Sequence, residues 1–134
     1  QPFNYDKSYL NSYIKIKEKC ELLSEIRLNF LFQHIKQIDR LLDFGSGTGD
    51  FLQAASRQIN NVYSYDIIPK NFDFAETLSQ ERLNSSSFDV VCFFDSLEHL
   101  TNPELVIENI VCLYFFALES LLRFRGRLVY ELET

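Results

Sequence analysis

Hydrophobic positions recur along the chain with two periods, one typical of amphipathic helices and one of short buried strands. In residues 14–38, apolar side chains return every three or four positions, which predicts a helix with one buried stripe. The stripe consists of Leu22, Leu23, Ile26, Phe30, Ile35 and Ile38. This pattern separates an N-terminal helical arm, residues 1–38, from a core formed by residues 39–134.

Short apolar runs bounded by turn residues predict the strands of that core. The runs are 40–44, 62–68, 71–75, 88–95 and 127–132. Helical patterns fill two of the intervals, at Asp50–Ile59 and at 103–124, where Pro103 stands at a favoured helix start and Gly126 follows the end.

Strands that alternate with helices predict the α/β class, with a Rossmann-like, mainly parallel sheet and helices on both faces. A chain of 134 residues is the size of one domain. Ligands of such sheets bind at the carboxyl ends of the strands, so the loops after residues 44, 66 and 95 are expected to converge.

The first of these loops reads Asp43-Phe44-Gly45-Ser46-Gly47-Thr48-Gly49. Glycines at alternate positions between a strand and a helix allow a tight turn and a close approach of the backbone to a ligand. The spacing differs from the dinucleotide fingerprint by one position and lacks the Gly-Lys ending of a triphosphate loop, which disfavours a nicotinamide dehydrogenase.

A second acid, Asp66, follows the second strand and suits a ribose diol, because one carboxylate can accept two hydrogen bonds. Ile67 beside it could line one face of an adenine.

These segments together resemble the class I S-adenosylmethionine-dependent methyltransferases of the small-molecule type. The resemblance covers about 40–131 and rests on four segments in order. They are Leu41 to Gly49, Tyr65-Asp66, Phe88 to Leu100 and Gly126 to Val129. It implies S-adenosyl-L-methionine as cofactor and a minimal or truncated core, because the family's last two strands are missing.

The resemblance also implies roles for individual residues. Gly45 and Gly47 would approach the methionine part of the cofactor, Asp43 would organise the loop and the amino group, and Asp66 would hold the ribose. The remaining cofactor-binding candidates are Ser46, Thr48 and Gly49 in the loop, Ile67, and Asp95, Ser96 and Leu97 after the fourth strand. His99 is the candidate general base, with packing of the following helix as an equal alternative.

The charge and composition of the chain limit the classes of partner that it can bind. The net charge of −6 and the absence of a basic stripe argue against nucleic acid. No apolar run is long enough for a membrane span. Three cysteines without metal-ligand spacing indicate free thiols in a reducing compartment, hence a cytoplasmic protein without a metal site.

The predicted function is therefore methyl transfer to an unidentified small-molecule acceptor. The alternative is a catalytically silent cofactor-binding module within a larger assembly. Helix 103–124 carries more apolar residues than one buried stripe needs, and the sheet has an open edge. Either surface could support a homodimer.

Overall fold

The computed structural model describes residues 7–94, 96 and 99–116 of the 134. The strands are β1 (Arg40–Phe44), β2 (Asn61–Tyr65), β3 (Glu76–Thr77), β4 (Ser87–Cys92) and β5 (Val111–Phe116). The helices are α1 (Lys7–His34), α2 (Asp50–Ser56), α3 (Gln80–Ser85) and α4 (Pro103–Asn109). All strand pairs are parallel and the order is β3-β2-β1-β4-β5, which confirms the predicted fold class.

The sheet is covered on both faces, as the continuous apolar runs of its central strands require. Side chains alternate along β1, so Leu41 packs on one face while Leu42 and Phe44 pack on the other. One core contains Leu28 and Leu31 of α1 and four residues of α2. The second core contains Leu83 of α3 and is flanked by Val106 and Ile107 of α4.

Two short helices, α3 and α4, begin at residues whose side chains cap the helix N-terminus. The side chain of Ser79 accepts the Arg82 N–H at 3.2 Å and caps α3. Asn102 accepts the Leu105 N–H at 3.2 Å and caps α4, and Pro103 stands in its first turn.

The predicted buried stripe of the first helix is wrong for Leu22, Leu23 and Ile26. Its other members, Phe30, Ile35 and Ile38, lie in or against the core, although α1 ends at His34. Helix α1 buries Ser24, Leu28 and Leu31, whereas Leu22, Leu23 and Ile26 are 61%, 44% and 54% exposed. Intervals of three and four fit both sets of residues, and only packing against α2 selects one of them. The buried Ser24 hydroxyl is tolerated because it donates to Cys20 O at 2.9 Å.

The predicted helix 103–124 begins at the expected residue but is wrong for residues 110–116. Helix α4 ends at Asn109, and the next residues form β5, which pairs with β4 through Val90–Tyr114 and Cys92–Phe116. Periodicity cannot separate a buried strand from a buried helix in so apolar a run, and here the open edge of β4 decides. The proposed dimer surface on that helix is lost in its first half, and its second half lies outside the described residues.

The third strand differs from its expected position at 71–75. Residues Phe72 and Ala75 form a tight antiparallel bridge, and β3 follows at Glu76–Thr77. The described segment 66–75 between β2 and β3 contains no helix. The predicted strand 127–132 lies outside the described part of the chain. Among the described helices, none is long and apolar enough to cross a membrane.

Candidate functional site

The candidate site lies where the strand order reverses, between β1 and β4. From β1 the chain proceeds outward through β2 to β3, and then returns to β4 on the other side of β1. Crevices at such a switch are the usual ligand sites of open α/β sheets. A cavity of about 210 Å³ opens there, lined by Phe44, Gly45, Asp66, Ile67, Ser96, His99 and Leu100.

A larger cavity of about 350 Å³ lies in the groove between α1 and α2. Its walls include the acidic residues Glu18, Glu21 and Glu25 of α1 and Asp50 of α2. No strand end or glycine turn among the described residues opens into it, and the hydroxyl of its buried Ser24 already donates to Cys20 O. We therefore assign the site to the smaller cavity.

The three loop glycines have left-handed backbones, with φ of 79° at Gly45, 56° at Gly47 and 83° at Gly49. A Cβ at Gly45 would lie 2.6 Å from Ser96 Cβ, and one at Gly49 would lie 2.5 Å from Phe72 Cε1. A Cβ at Gly47 would meet no atom of the described residues within 4 Å, its chain neighbours aside. The first and third glycines are therefore required by the protein's own packing, and Gly47 faces open space.

Hydrogen bonds to neighbouring strands hold the loop in this shape. The Gly45 N–H donates to Tyr65 O at 2.7 Å. The hydroxyls of Ser46 and Ser64 are 2.6 Å apart, and the Ser96 hydroxyl donates to Phe44 O at 2.8 Å. The loop is thus preorganised by β2 and by the segment after β4.

Asp66 and Lys70 hold both backbone polar atoms of Gly47. The Gly47 N–H donates to Asp66 Oδ2 at 3.2 Å, and Lys70 Nζ donates to Gly47 O at 3.1 Å. Asp66 Oδ1 accepts the Ile68 N–H at 3.4 Å. Each carboxylate oxygen has a second acceptor position, so the half-buried Asp66 retains capacity for a ligand at the cavity wall.

Asp43 is buried at the end of β1, with 3% of its surface exposed. Within the described residues, its Oδ1 atom has no hydrogen-bond partner. Burial raises the pKa of Asp43 from 3.8 to about 7, with Arg27 lowering it and Asp66 raising it further. A buried carboxyl oxygen without a partner marks a position that a ligand donor can fill.

The remaining candidates fall into three groups. Ile67 and His99 line the cavity, and Ile67 is 78% exposed. The backbone N–H of His99 donates to the backbone oxygen of Ser96 at 3.2 Å. The cavity is not lined by Asp43, Ser46, Gly47, Thr48 or Gly49, although Gly47 is bonded to the cavity residue Asp66. The Thr48 hydroxyl donates to Asp50 Oδ2 at 2.6 Å. Asp95 and Leu97 lie outside the described residues.

Four residues that contact or act on the site are not predicted from the sequence: Arg27, Lys70, Phe72 and Leu100. Arg27 lies on α1, far from the loop in sequence, and no local pattern connects them. Leu100 adjoins His99, so the segment after β4 could have suggested it.

Comparison with protein families matches a methyltransferase domain over residues 15–113. Among solved structures, the N-terminal domain of EvdMO1 with SAH bound is similar at 17% identity and a TM-score of 0.61, covering 70% of this chain and 48% of that chain. CalS10, an SAM-bound amino pentose methyltransferase from Micromonospora echinaspora, is similar at 14% identity and a TM-score of 0.59, covering 87% and 58%.

A third similar structure is a putative methyltransferase complexed with the Haloferax volcanii Trm112 methyltransferase activator, at 14% identity and a TM-score of 0.51, covering 80% and 58%. The chain thus spans about half the length of these structures. The search of curated proteins gives no match. At such identities the structures establish a Rossmann-like methyltransferase fold.

Proposed function

Because the chain belongs to the methyltransferase domain family, we propose that it binds S-adenosylmethionine at the carboxyl end of its sheet and transfers the methyl group to a small-molecule acceptor. The proposal draws on the family, on solved relatives that hold SAM or SAH, and on the chemistry of the site.

The observation that carries the proposal is the open face of Gly47. This glycine has a left-handed backbone, and apart from its chain neighbours no atom of the described residues lies within 4 Å of its Cβ position, although Gly45 and Gly49 are packed against side chains. Asp66 is bonded to its N–H and also lines the cavity. A bare backbone beside a carboxylate with spare acceptor positions fits the adenosyl and methionyl parts of the cofactor.

The described residues would then divide the binding of the cofactor among them. Asp66 would accept the ribose hydroxyls, and Ile67 would cover one face of the adenine. Gly45, Ser46 and Gly47 would border the methionyl part, and the unpartnered oxygen of Asp43 would accept its ammonium group. Thr48 and Gly49 would form the turn into α2. Asp95, Ser96 and Leu97, after the fourth strand, would also contact the cofactor.

S-adenosylmethionine, when bound, supplies a methyl group already activated on a sulfonium, so that alignment of the acceptor provides most of the acceleration. The protein's own contribution is the fixed loop and a proton acceptor. His99 lines the cavity, and we propose that its imidazole accepts a proton from an acceptor hydroxyl or amine.

The test is titration of the purified chain with S-adenosylmethionine, S-adenosylhomocysteine and NAD by calorimetry, followed by a turnover assay with candidate acceptors. We expect binding of the first two and none of NAD. Preferential binding of NAD, or no binding at all, would contradict the proposal. Binding without formation of S-adenosylhomocysteine on any acceptor would identify the alternative, a catalytically silent module.

Two further expectations belong to this proposal. All three cysteines are free thiols, which supports a reducing, cytoplasmic location. The homodimer now rests on the sheet edge, because β5 is the last strand of the described sheet and exposes Val111 and Leu113. Analytical ultracentrifugation of the wild type and of Leu113→Glu would measure the oligomeric state. A monomeric wild type would contradict the proposed homodimer.

A further inference from the structure

Asp43 is the one carboxyl group that the described structure places fully inside the protein, and it directly precedes Phe44 and Gly45 of the cavity wall without lining the cavity itself. It follows Leu41 by two residues in β1, so its side chain points to the face covered by α1 and α2. Its Oδ1 atom has no partner among the described residues, whereas Asp66 has backbone donors on both oxygens. A carboxylate buried in this way carries a desolvation penalty that no hydrogen bond offsets.

Three titratable groups from neighbouring elements, Arg27, Asp66 and Cys92, interact electrostatically with Asp43. Arg27 approaches from α1, with its guanidinium carbon 4.7 Å above the Phe94 ring. Asp66 stands after β2, and Cys92 on β4 is paired with Asp43 in the sheet. Helix α2 begins with Asp50, which accepts the Thr48 hydroxyl.

Arg27 and Asp66 shift the pKa of Asp43 in opposite directions, and burial has the largest effect. Burial raises the pKa of Asp43 to about 7, Arg27 opposes the rise, and Asp66 adds to it. The thiol of Cys92 remains neutral, because burial raises its pKa well above the usual value. At neutral pH the ligand-free protein therefore contains both protonated and ionised Asp43.

We propose that Asp43 gives up its proton when the amino-acid end of the cofactor binds, so that cofactor affinity depends on pH. This inference rests on the proposed function. The ammonium group of the cofactor is the positively charged donor that the buried carboxylate lacks, and it stabilises the ionised form. The proton leaves Asp43 Oδ for bulk water, one for each cofactor bound to a protonated site, and no covalent bond to carbon changes.

The coupling between proton release and cofactor binding predicts how strongly the dissociation constant depends on pH. If only the ionised form binds well, the dissociation constant falls roughly tenfold between pH 5.5 and pH 7 and changes little above pH 8. Binding releases about 0.9 proton at pH 6 and about 0.5 at pH 7, because those are the protonated fractions of a group with a pKa near 7.

The test is calorimetric titration with S-adenosylhomocysteine, which has the amino-acid group but no sulfonium. Titrations at pH 6 and pH 7 in two buffers of different ionisation enthalpy count the released protons. In Asp43→Asn, we expect no release and a dissociation constant that is independent of pH and close to the wild-type value at pH 5.5. Binding to the wild type without proton release would overturn the inference and leave the proposed function standing. A lack of binding at every pH would contradict the proposed function, and the inference would fall with it.

A second variant keeps the test decisive if Asp43→Asn does not fold. Arg27→Gln removes the cation that lowers the pKa of Asp43, so the midpoint of the pH dependence should move to higher pH. Arg57→Gln is the matched control, since Arg57 is exposed at the end of α2 and should leave the midpoint unchanged. A midpoint that is the same in Arg27→Gln and wild type would overturn the inference. Infrared difference spectra should also lose a protonated carboxyl band on binding in the wild type.

Discussion

The ring of Phe72 lies against Gly49, where the glycine loop enters α2. A Cβ at Gly49 would stand 2.5 Å from Phe72 Cε1 and 2.9 Å from Cζ. The segment after β2 therefore packs onto the loop at this glycine, while Lys70 of the same segment bonds to Gly47 O. Gly49 packs against the protein's own chain, whereas the Cβ position of Gly47 meets no atom of the described residues beyond its chain neighbours.

Gly49→Ala should lower the free energy of unfolding by about 2–4 kcal/mol. The change adds a left-handed backbone penalty, at φ of 83°, to a steric clash with an aromatic ring. Urea unfolding measures the loss. Gly47→Ala is the matched control and should cost only the backbone penalty of about 1–2 kcal/mol. Equal losses in the two variants would contradict the packing role of Gly49.

Gly47→Val should abolish binding of S-adenosylhomocysteine while the chain remains folded. The valine side chain would fill the open space beside Asp66, which no atom of the described residues occupies. Calorimetry measures binding, and circular dichroism with thermal unfolding checks the fold. Retained affinity in a folded variant would show that the loop serves another purpose.

Asp66→Ala should weaken binding of S-adenosylhomocysteine by about 1–3 kcal/mol, through loss of charge-assisted hydrogen bonds to the ribose. The change also frees the Gly47 N–H from its 3.2 Å bond to Asp66. Asp73→Ala is the control, because Asp73 is exposed in the neighbouring segment and does not line the cavity. An unchanged dissociation constant in Asp66→Ala would remove Asp66 from the site.

Leu28→Ala should destabilise the protein by about 2–5 kcal/mol, because its side chain is fully buried between α1 and the sheet. Leu22→Ala on the same helix should change stability by less than about 0.5 kcal/mol, since Leu22 is 61% exposed. Chemical denaturation of the two variants tests the corrected buried face of α1. A larger loss in Leu22→Ala would restore the stripe that the sequence predicts.

The stability of the ligand-free protein should fall as pH rises toward 8, relative to Asp43→Asn. The pKa of Asp43 is raised on folding from 3.8 to about 7, so its contribution is complete below about pH 4 and is lost as pH rises through 7. The difference between the two proteins should change by about 2.5–3 kcal/mol between pH 5 and pH 8. Unfolding curves at pH 5, 6.5 and 8 measure it. A difference that does not vary with pH would show that Asp43 is not the titrating group.

Several local features could be predicted because they depend on short segments. The strand Arg40–Phe44 and its glycine turn are encoded within ten residues, since a buried apolar run must end where three glycines permit a left-handed backbone. The start of α4 at Pro103 follows from the cap at Asn102 and the fixed φ of proline. Asp66 could be placed at the site because parallel strands bring their carboxyl ends to one edge.

Features that depend on distant partners could not be predicted. The run from Val111 to Phe116 suits a buried helix and a buried strand equally, and only hydrogen bonding to β4 makes it a strand. The buried face of α1 likewise depends on where α2 packs.

By itself, the amino-acid sequence determined the fold class and the residues of the glycine loop and Asp66, because these follow from hydrophobic periodicity and the backbone freedom of glycine. The tertiary structure alone decided that Phe72 requires Gly49, that Gly47 stays open, and that Arg27 acts on a buried Asp43. The physical reason is that steric contact, burial and electrostatic coupling depend on distances in space, which sequence separation does not encode.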